Sequence, residues 1–527
     1  MSTDGSVLVV GAGPTGLLLA AELHRRGVRC RLIDAHASPL HWDRATVVHP
    51  RSLEVFDSLG ILEPFLAAGV KQRRARLHSE GAVLGDIDLA TCGSRYGFNL
   101  GLSEEVTESI LTGYLQRLGG DVQRGTRLVD LVDRMDGFVA VLEHDGAKDA
   151  VPVQWVVGCD GLHSTTRELA GIELEGHDIP EPWAVFDATL GGWAQPFEAN
   201  YAYLDEVPVI LTALPDRRWR VYLRPTSAES DLVQDARATL ARYVPDLTFA
   251  DVANPTRFHC HTRVAERFRA GRVLIAGDAA HVCSPAQGHG MNSGLQDAYN
   301  LAWKLALVVQ GRADAALLDS YEAERRPVAR RITASGDEVE DAQALRDPDA
   351  RRERDAALRA TFADPAARHH EAIAEAELDI DYATSPIVLG DAHPVLGPGA
   401  RLPGTIEVRM PGGETRGLHE LAFGPEHTAL VVGGASVTAD ALARVAGETR
   451  AALGPAIIGE TIELSAGGGG ADDRASVSRD VADALGAREI LLLVVRPDGH
   501  VGLRAERAHA TMAAAYAERL RLRDRRG

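Results

Sequence analysis

The chain has 527 residues, of which 45% are hydrophobic and 25% charged, the proportions of a folded globular protein with material for about three domains. Lys and Arg number 56 against 75 Asp and Glu, a formal charge of −19, and a surface that acidic repels phosphate backbones and anionic headgroups, arguing against nucleic-acid or membrane partners. Five cysteines (Cys30, Cys92, Cys159, Cys260, Cys283) form no C-x-x-C pair, so neither a disulfide framework nor a zinc ribbon is written, and without a signal-peptide pattern or an apolar run of about 18 residues the sequence reads as cytoplasmic.

Residues 7–10 (VLVV) are a continuous apolar run of the kind found in a strand buried on both faces of a parallel sheet. Gly11-Ala12-Gly13-Pro14-Thr15-Gly16 follows, and residues 17–26 predict a helix. A second strand over 28–33 ends in Asp34, where an acid accepts the ribose hydroxyls of an adenine dinucleotide. The glycines permit a tight turn whose amides reach a pyrophosphate, and the helix end offers it partial positive charge.

Cys159-Asp160-Gly161-Leu162-His163-Ser164-Thr165-Thr166-Arg167 is a second turn-rich segment. From about 174 to 268, alternating runs at 183–189, 199–204, 207–213 and 219–223 predict an antiparallel sheet. Tyr201, Tyr203, Trp219 and Tyr222 gather there although aromatics make up 5% of the chain, which favours an aromatic-lined pocket over core packing. His259 and His261 would share a strand face, but no third ligand follows at a sensible spacing, so no metal site is expected.

A further buried strand, 273–276, runs into Gly277-Asp278-Ala279-Ala280-His281 and Pro285-Ala286-Gln287-Gly288-His289-Gly290-Met291-Asn292. Apolar positions at spacings of three and four then predict a helix over 293–309. Its end would stabilise the negative charge that a reduced flavin carries around N1 and the C2 oxygen.

These three motifs, in this order over roughly residues 1–330, resemble those of the single-component (group A) FAD-dependent aromatic hydroxylases, the family of phenol, hydroxybenzoate and polyketide hydroxylases. Arg44-Ala45 with Arg51-Ser52-Leu53-Glu54 resembles a fourth segment. The resemblance implies an α/β fold: a Rossmann-like FAD-binding domain (1–174 and, with connecting helices, 269–390), an inserted antiparallel-sheet substrate domain (175–268) and a thioredoxin-like C-terminal domain (391–527). It also implies that Gly11, Gly13, Thr15 and Gly16 hold the pyrophosphate, Asp34 the adenosine ribose, Arg44 the diphosphate and Leu128 the adenine through its backbone. Asp160 would form a turn beneath the cofactor, and Asp278 would meet the ribityl chain. Met291 and Asn292 would present main-chain amides to the isoalloxazine edge, and Pro285 and Gly290 would also lie against the cofactor.

Two departures stand out. Glu104 occupies the position usually held by a flavin-facing glutamine, and Gln287-Gly288 replaces a glycine pair. The implied reaction is hydroxylation of a small phenolic or polycyclic aromatic substrate with NAD(P)H, NADPH favoured, and dioxygen through a C4a-hydroperoxyflavin, in a monomer or homodimer. Baeyer–Villiger or epoxidising chemistry, a flavin dehydrogenase, and a FAD-binding protein without monooxygenase activity share the same motifs. The sequence names no catalytic base.

Residues 334–377, rich in Ala, Arg, Asp and Glu, read as solvated connecting helices rather than a site, with His369 and His370 exposed. Beyond them, a strand at 428–432, a helix at 439–453 and a strand pair at 489–495 and 500–504 give an αβ body, with a glycine-rich mobile loop at 465–474. No cysteine lies beyond Cys283. Dithiol chemistry is therefore excluded there, and packing or dimerisation is the expected role.

Overall fold

The computed structural model describes residues 6–39, 45–455, 457–466 and 474–521. Arg44 and most of the glycine run at 465–474 lie outside them.

A six-stranded sheet runs in the order Arg269–Ala270, Val273–Ile275, Trp155–Gly158, Val7–Val10, Cys30–Ile33, Val122–Gln123. All its pairings are parallel except that of the Arg269–Ala270 edge. Val7–Val10 is buried throughout because helices cover one face and the three-stranded sheet of Thr126–Arg134, Gly137–His144 and Ala147–Val153 covers the other, the reason its sequence is continuously apolar. The helix Pro14–Arg25 buries Leu17, Leu18, Leu19 and Leu23 completely, and each such side chain contributes about 1.5–3 kcal/mol of burial. It packs beside the helix His289–Val309 in the same core.

The latter begins four residues earlier than its apolar periodicity predicts, because the buried polar residues His289 and Asn292 take partners outside the helix. Gly288, left-handed at φ 71°, turns the chain into it.

A second, seven-stranded sheet has the order Thr248–Phe258, Trp183–Gly191, Arg218–Leu223, Val209–Leu214, Ala199–Tyr203, Arg74–Ser79, Ala82–Asp88. It therefore takes two strands from 74–88, outside the span 175–268. It is mixed rather than purely antiparallel, since Ala199–Tyr203 and Arg74–Ser79 pair in parallel. The helix Leu232–Leu240, capped by Asp231 accepting from Val233 and Gln234 N–H, covers its outer face.

Helices Asp319–Ala344, Pro348–Ala363 and Pro365–Glu375 lead to the third body. Its sheet places Ile458–Ala466, His427–Gly433, Ile490–Val495 and Val501–Ala505 side by side. The first pair is parallel and the other two antiparallel, with helices Ala439–Leu453 and His509–Arg519 packed against them.

A buried ionic cluster joins this body to the first. Arg496 donates to both oxygens of Glu324 at 2.7 and 2.8 Å and pairs with Asp498. Lys304 meets Glu324 at 2.6 Å, and the Trp303 indole N–H donates to Asp498 at 3.0 Å. Among the described residues, no helix is long and apolar enough to cross a membrane.

Candidate functional site

Three loops converge at the carboxyl ends of adjacent parallel strands, the position where open α/β sheets bind ligands. Gly11 has φ 98°, and a Cβ there would lie 2.2 Å from the Cys159 carbonyl oxygen. A Cβ on Gly16 would sit 1.9 Å from the Gly11 oxygen, and one on Gly277 2.6 Å from Thr15 Oγ1. Gly13, by contrast, has room, its nearest neighbour being Glu108 Oε1 at 3.8 Å. The structure thus brings Gly11, Gly13, Thr15, Gly16, Asp160 and Asp278 together and leaves a backbone cradle beside Gly13.

Asp34 ends the Cys30–Ile33 strand. Its Oδ2 accepts the Ala12 N–H at 2.7 Å and its Oδ1 the His36 N–H at 2.8 Å. Oδ1 also meets His36 Nδ1 at 3.2 Å and Arg124 at 3.6 Å, while Oδ2 has a further lone pair for a ribose hydroxyl. Leu128 is buried in the strand Thr126–Arg134, whose first N–H donates to the Asp34 carbonyl at 2.8 Å. Its backbone is therefore fixed beside that acid.

Asp160 braces the start of the short helix Thr165–Leu169, which Ser164 caps, accepting from the Ser164 hydroxyl and from the Thr166 N–H and hydroxyl at 2.9 and 3.0 Å. Burial raises its carboxyl above the ordinary range, against the pull of those hydrogen bonds. Asp278, by contrast, is exposed between buried Gly277 and Ala279.

The first-turn amides of His289–Val309, including those of Gly290 and Met291, have no acceptor within the helix, and that of Asn292 follows them. The Asn292 side chain staples that turn in place: Oδ1 accepts the His49 N–H at 2.9 Å, and Nδ2 donates to the Val47 and Gly288 carbonyls, each at 2.9 Å. Pro285 opens a 3₁₀ turn capped by Ser284. Gln287 accepts from the Ser335 hydroxyl at 3.2 Å, so its side chain reaches toward the Asp319–Ala344 helix. Glu104 begins the helix Glu104–Arg117, and its Oε2 accepts the Ala45 N–H at 3.5 Å.

Sequence reasoning missed His49, His289 and Glu377, buried side chains whose candidate ligand atoms lie within 4.8 Å of one another. Hydrogen bonds account for most of this cluster. His289 Nδ1 is 2.8 Å from Glu377 Oε1, Gln296 donates to the other Glu377 oxygen, and His49 Nδ1 is 3.1 Å from Asn99 Oδ1. Burial would raise the Glu377 carboxyl and lower the His289 imidazole, but their mutual attraction outweighs it and moves both the opposite way. Residues 334–377 are consequently more than a connector, because Glu340 and Glu377 are buried at its ends. The unabsorbed histidine in Gly288-His289-Gly290 was the available signal.

Strand alternation sorts the aromatic side chains of the second sheet. Tyr201, Tyr203 and Trp219 lie on its outer face, packed with Phe186, Leu211 and the Leu232–Leu240 helix. The expected aromatic pocket is therefore corrected for these three, which form core. Tyr222 lies on the inner face with Trp183, Val185, Phe258 and Cys260, against Ile210 and Ala286. Its hydroxyl is 3.0 Å from Thr46 Oγ1. Beside it the buried pair Asp187 and Arg220 meets at 2.7 and 2.9 Å. His261 pairs with Asp178 at 2.7 Å, while His259, His369 and His370 are exposed.

A separate groove of about 680 Å³, lined by Arg269, Asp319, Glu322, Arg326 and Arg330, contains none of these residues. The cradle at Gly13, the anchored Asp34, the exposed Asp278 and the row of helix amides together fit an adenine dinucleotide flavin.

Comparison with known proteins agrees. The chain is 39% identical over 341 residues to a 6-methylpretetramide 4-monooxygenase of Streptomyces rimosus, covering 63% of this chain and 61% of that protein. It is 34% identical over 345 residues to the pentachlorophenol 4-monooxygenase of Sphingobium chlorophenolicum, covering 63% of each. The match thus spans less than two thirds of either relative's length. The structure of aklavinone-11 hydroxylase in complex with FAD and aklavinone is similar with a TM-score of 0.77 and 26% identity, over 99% of this chain and 100% of that one. Residues 4–335 match the model of the FAD binding domain family, and the chain belongs to that family.

Proposed function

We propose that this protein is an NAD(P)H-dependent FAD monooxygenase that hydroxylates a phenolic or polycyclic aromatic substrate. The observation that carries this reading is the apposition of two surfaces. Ala286, just ahead of the His289–Val309 helix, packs against the Trp183, Val185 and Tyr222 face of the second sheet. A cofactor lying along those helix amides would be roofed by an apolar wall.

Bound FAD supplies acceptance of hydride from NAD(P)H and activation of dioxygen. The chain's own residues bind, orient and keep dry. The Gly11 turn, the amides of Gly13, Thr15 and Gly16, and Asp34 would hold the adenosine diphosphate half, and Asp278 the ribityl chain. The amides of Gly290, Met291 and Asn292 would place fixed positive potential at the pyrimidine edge, preorganised and needing no rearrangement. Trp183, Val185, Ile210 and Phe258 would exclude water from the oxygen-transfer space. Tyr222 and Thr46 offer a paired hydroxyl at its edge.

The similar proteins support this substrate class, since one is named for a chlorinated phenol and two for polycyclic polyketides or their precursors. We read the third body as a thioredoxin-like domain, a reading that its strand order, strand directions and flanking helices support. Lacking cysteine beyond Cys283, it would serve packing in a cytoplasmic monomer or homodimer.

The test is NADPH oxidation by the reconstituted protein with a panel of phenols and polycyclic quinoid compounds under labelled dioxygen. Substrate-stimulated oxidation with one labelled oxygen atom in a ring hydroxyl is expected. Turnover without dioxygen would make it a dehydrogenase, and a ring-expanded product would assign Baeyer–Villiger chemistry instead.

A further inference from the structure

We propose that Asp297, in the third turn of the His289–Val309 helix, is a positioning residue for FAD that fixes the Gly277–Asp278 loop against the flavin side chain. This rests on the reading that Asp278 meets the ribityl chain.

Asp297 is fully buried. Its Oδ2 accepts the Gly277 N–H at 3.0 Å and lies 2.8 Å from His281 Nε2, while its Oδ1 accepts Arg325 Nε–H at 2.6 Å. Two of the three partners belong to the loop itself and flank Asp278. Gly277 can hardly yield, because it is left-handed at φ 60° and stands against Thr15, and its carbonyl accepts the Ala280 N–H at 2.7 Å. The Asp278 main chain is thereby pinned on both sides, which sets where its carboxylate can reach.

Arg325 is itself held by the Ser293 carbonyl and hydroxyl at 3.2 and 3.0 Å and by the Tyr382 hydroxyl at 3.1 Å. Burial alone would raise the Asp297 carboxyl, but facing His281 and Arg325 hold it below the ordinary carboxylate range. An ionised carboxylate accepts from all three donors; an amide in its place turns one acceptor into a donor. The same helix that offers its first-turn amides thus also grips the second cofactor loop two turns further along.

The test uses full-length protein stripped of flavin, with FAD binding followed by fluorescence quenching and ADP binding by calorimetry. ADP probes the glycine-turn end alone. Asp297→Asn is expected to weaken FAD at least tenfold while ADP affinity stays within twofold. The double variant Asp278→Asn/Asp297→Asn should be no weaker than Asp278→Asn, because Asp297 acts through Asp278. Wild-type FAD affinity in Asp297→Asn, parallel losses of FAD and ADP, or additive losses in the double variant would overturn the positioning role. Wild-type affinity in Asp278→Asn would overturn the reading of Asp278, and the proposal with it. Arg325→Lys keeps the positive charge but loses the Ser293 contacts. It should show the same pattern more mildly, and it replaces Asp297→Asn if that variant does not fold.

Discussion

At the ends of the parallel strands the backbone itself makes the site, whereas in the seven-stranded sheet opposite the side chains do, and alternation sends half of them away. Gly11, Gly16 and Gly277 leave no space for a Cβ, so chain path and residue identity dictate each other there. Tyr222 and Trp219 are three residues apart on one strand yet belong to opposite faces. Motifs written in glycine can be read without a structure; motifs written in aromatic rings need the register.

Replacing Gly16 with valine should break the first region outright. The added carbon falls on the Gly11 carbonyl, and FAD affinity should drop by at least about 100-fold, roughly 2.8 kcal/mol. The protein should purify without flavin absorbance, and a yellow Gly16→Val protein would show that the turn does not hold the cofactor.

In the second region, Trp219→Ala should cost about 3–5 kcal/mol of stability as a core truncation. Denaturant titration measures this, and the KM for substrate should not move. A selective rise in KM at unchanged stability would return Trp219 to the pocket. Tyr222→Phe should do the reverse, costing about 1 kcal/mol or less for the lost hydrogen bond. Its KM should rise about three- to tenfold, as steady-state kinetics would register.

A pH dependence sharpens the contrast with the third body. Burial, and then Arg496, hold the His427 imidazole down at about 3, from its ordinary 6.5. Below 6.5 the unfolded chain takes up a proton there and the folded chain does not. Stability from this group is therefore complete above about pH 6.5 and falls on acidification, by up to about 1.4 kcal/mol per pH unit. His427→Leu should flatten that acid limb in urea titrations between pH 6.5 and 4.5, and an unchanged slope would assign the acid sensitivity elsewhere.

The first sheet was legible because parallel strands buried on both faces read as unbroken apolar runs, and Asp34 closes one of them. Helix 439–453 was legible to the residue from its periodicity. What escaped were contacts across sequence. Strands 74–79 and 82–88 join a sheet whose other members begin about a hundred residues later, and nothing local announces that pairing. Glu377 lies in a charged stretch that looks solvated, yet it reaches His289 across 88 positions. Asp297 was hidden for the same reason: inside an amphipathic helix a single acid looks like one more polar residue.

The cluster of Arg496, Glu324, Lys304, Asp498 and Trp303 means that the last third of this protein is no detachable accessory. A chain shortened before Arg496 would strip Glu324 of its bidentate guanidinium and leave it Lys304 as its cation, beside Asn300 and Ser385, in helices that also carry Asn292, Asp297 and Arg325. Such a truncate should emerge from expression as colourless or insoluble material even with every flavin-facing residue intact, and a colour screen for cofactor residues would then record a fault that lies some distance from any of them.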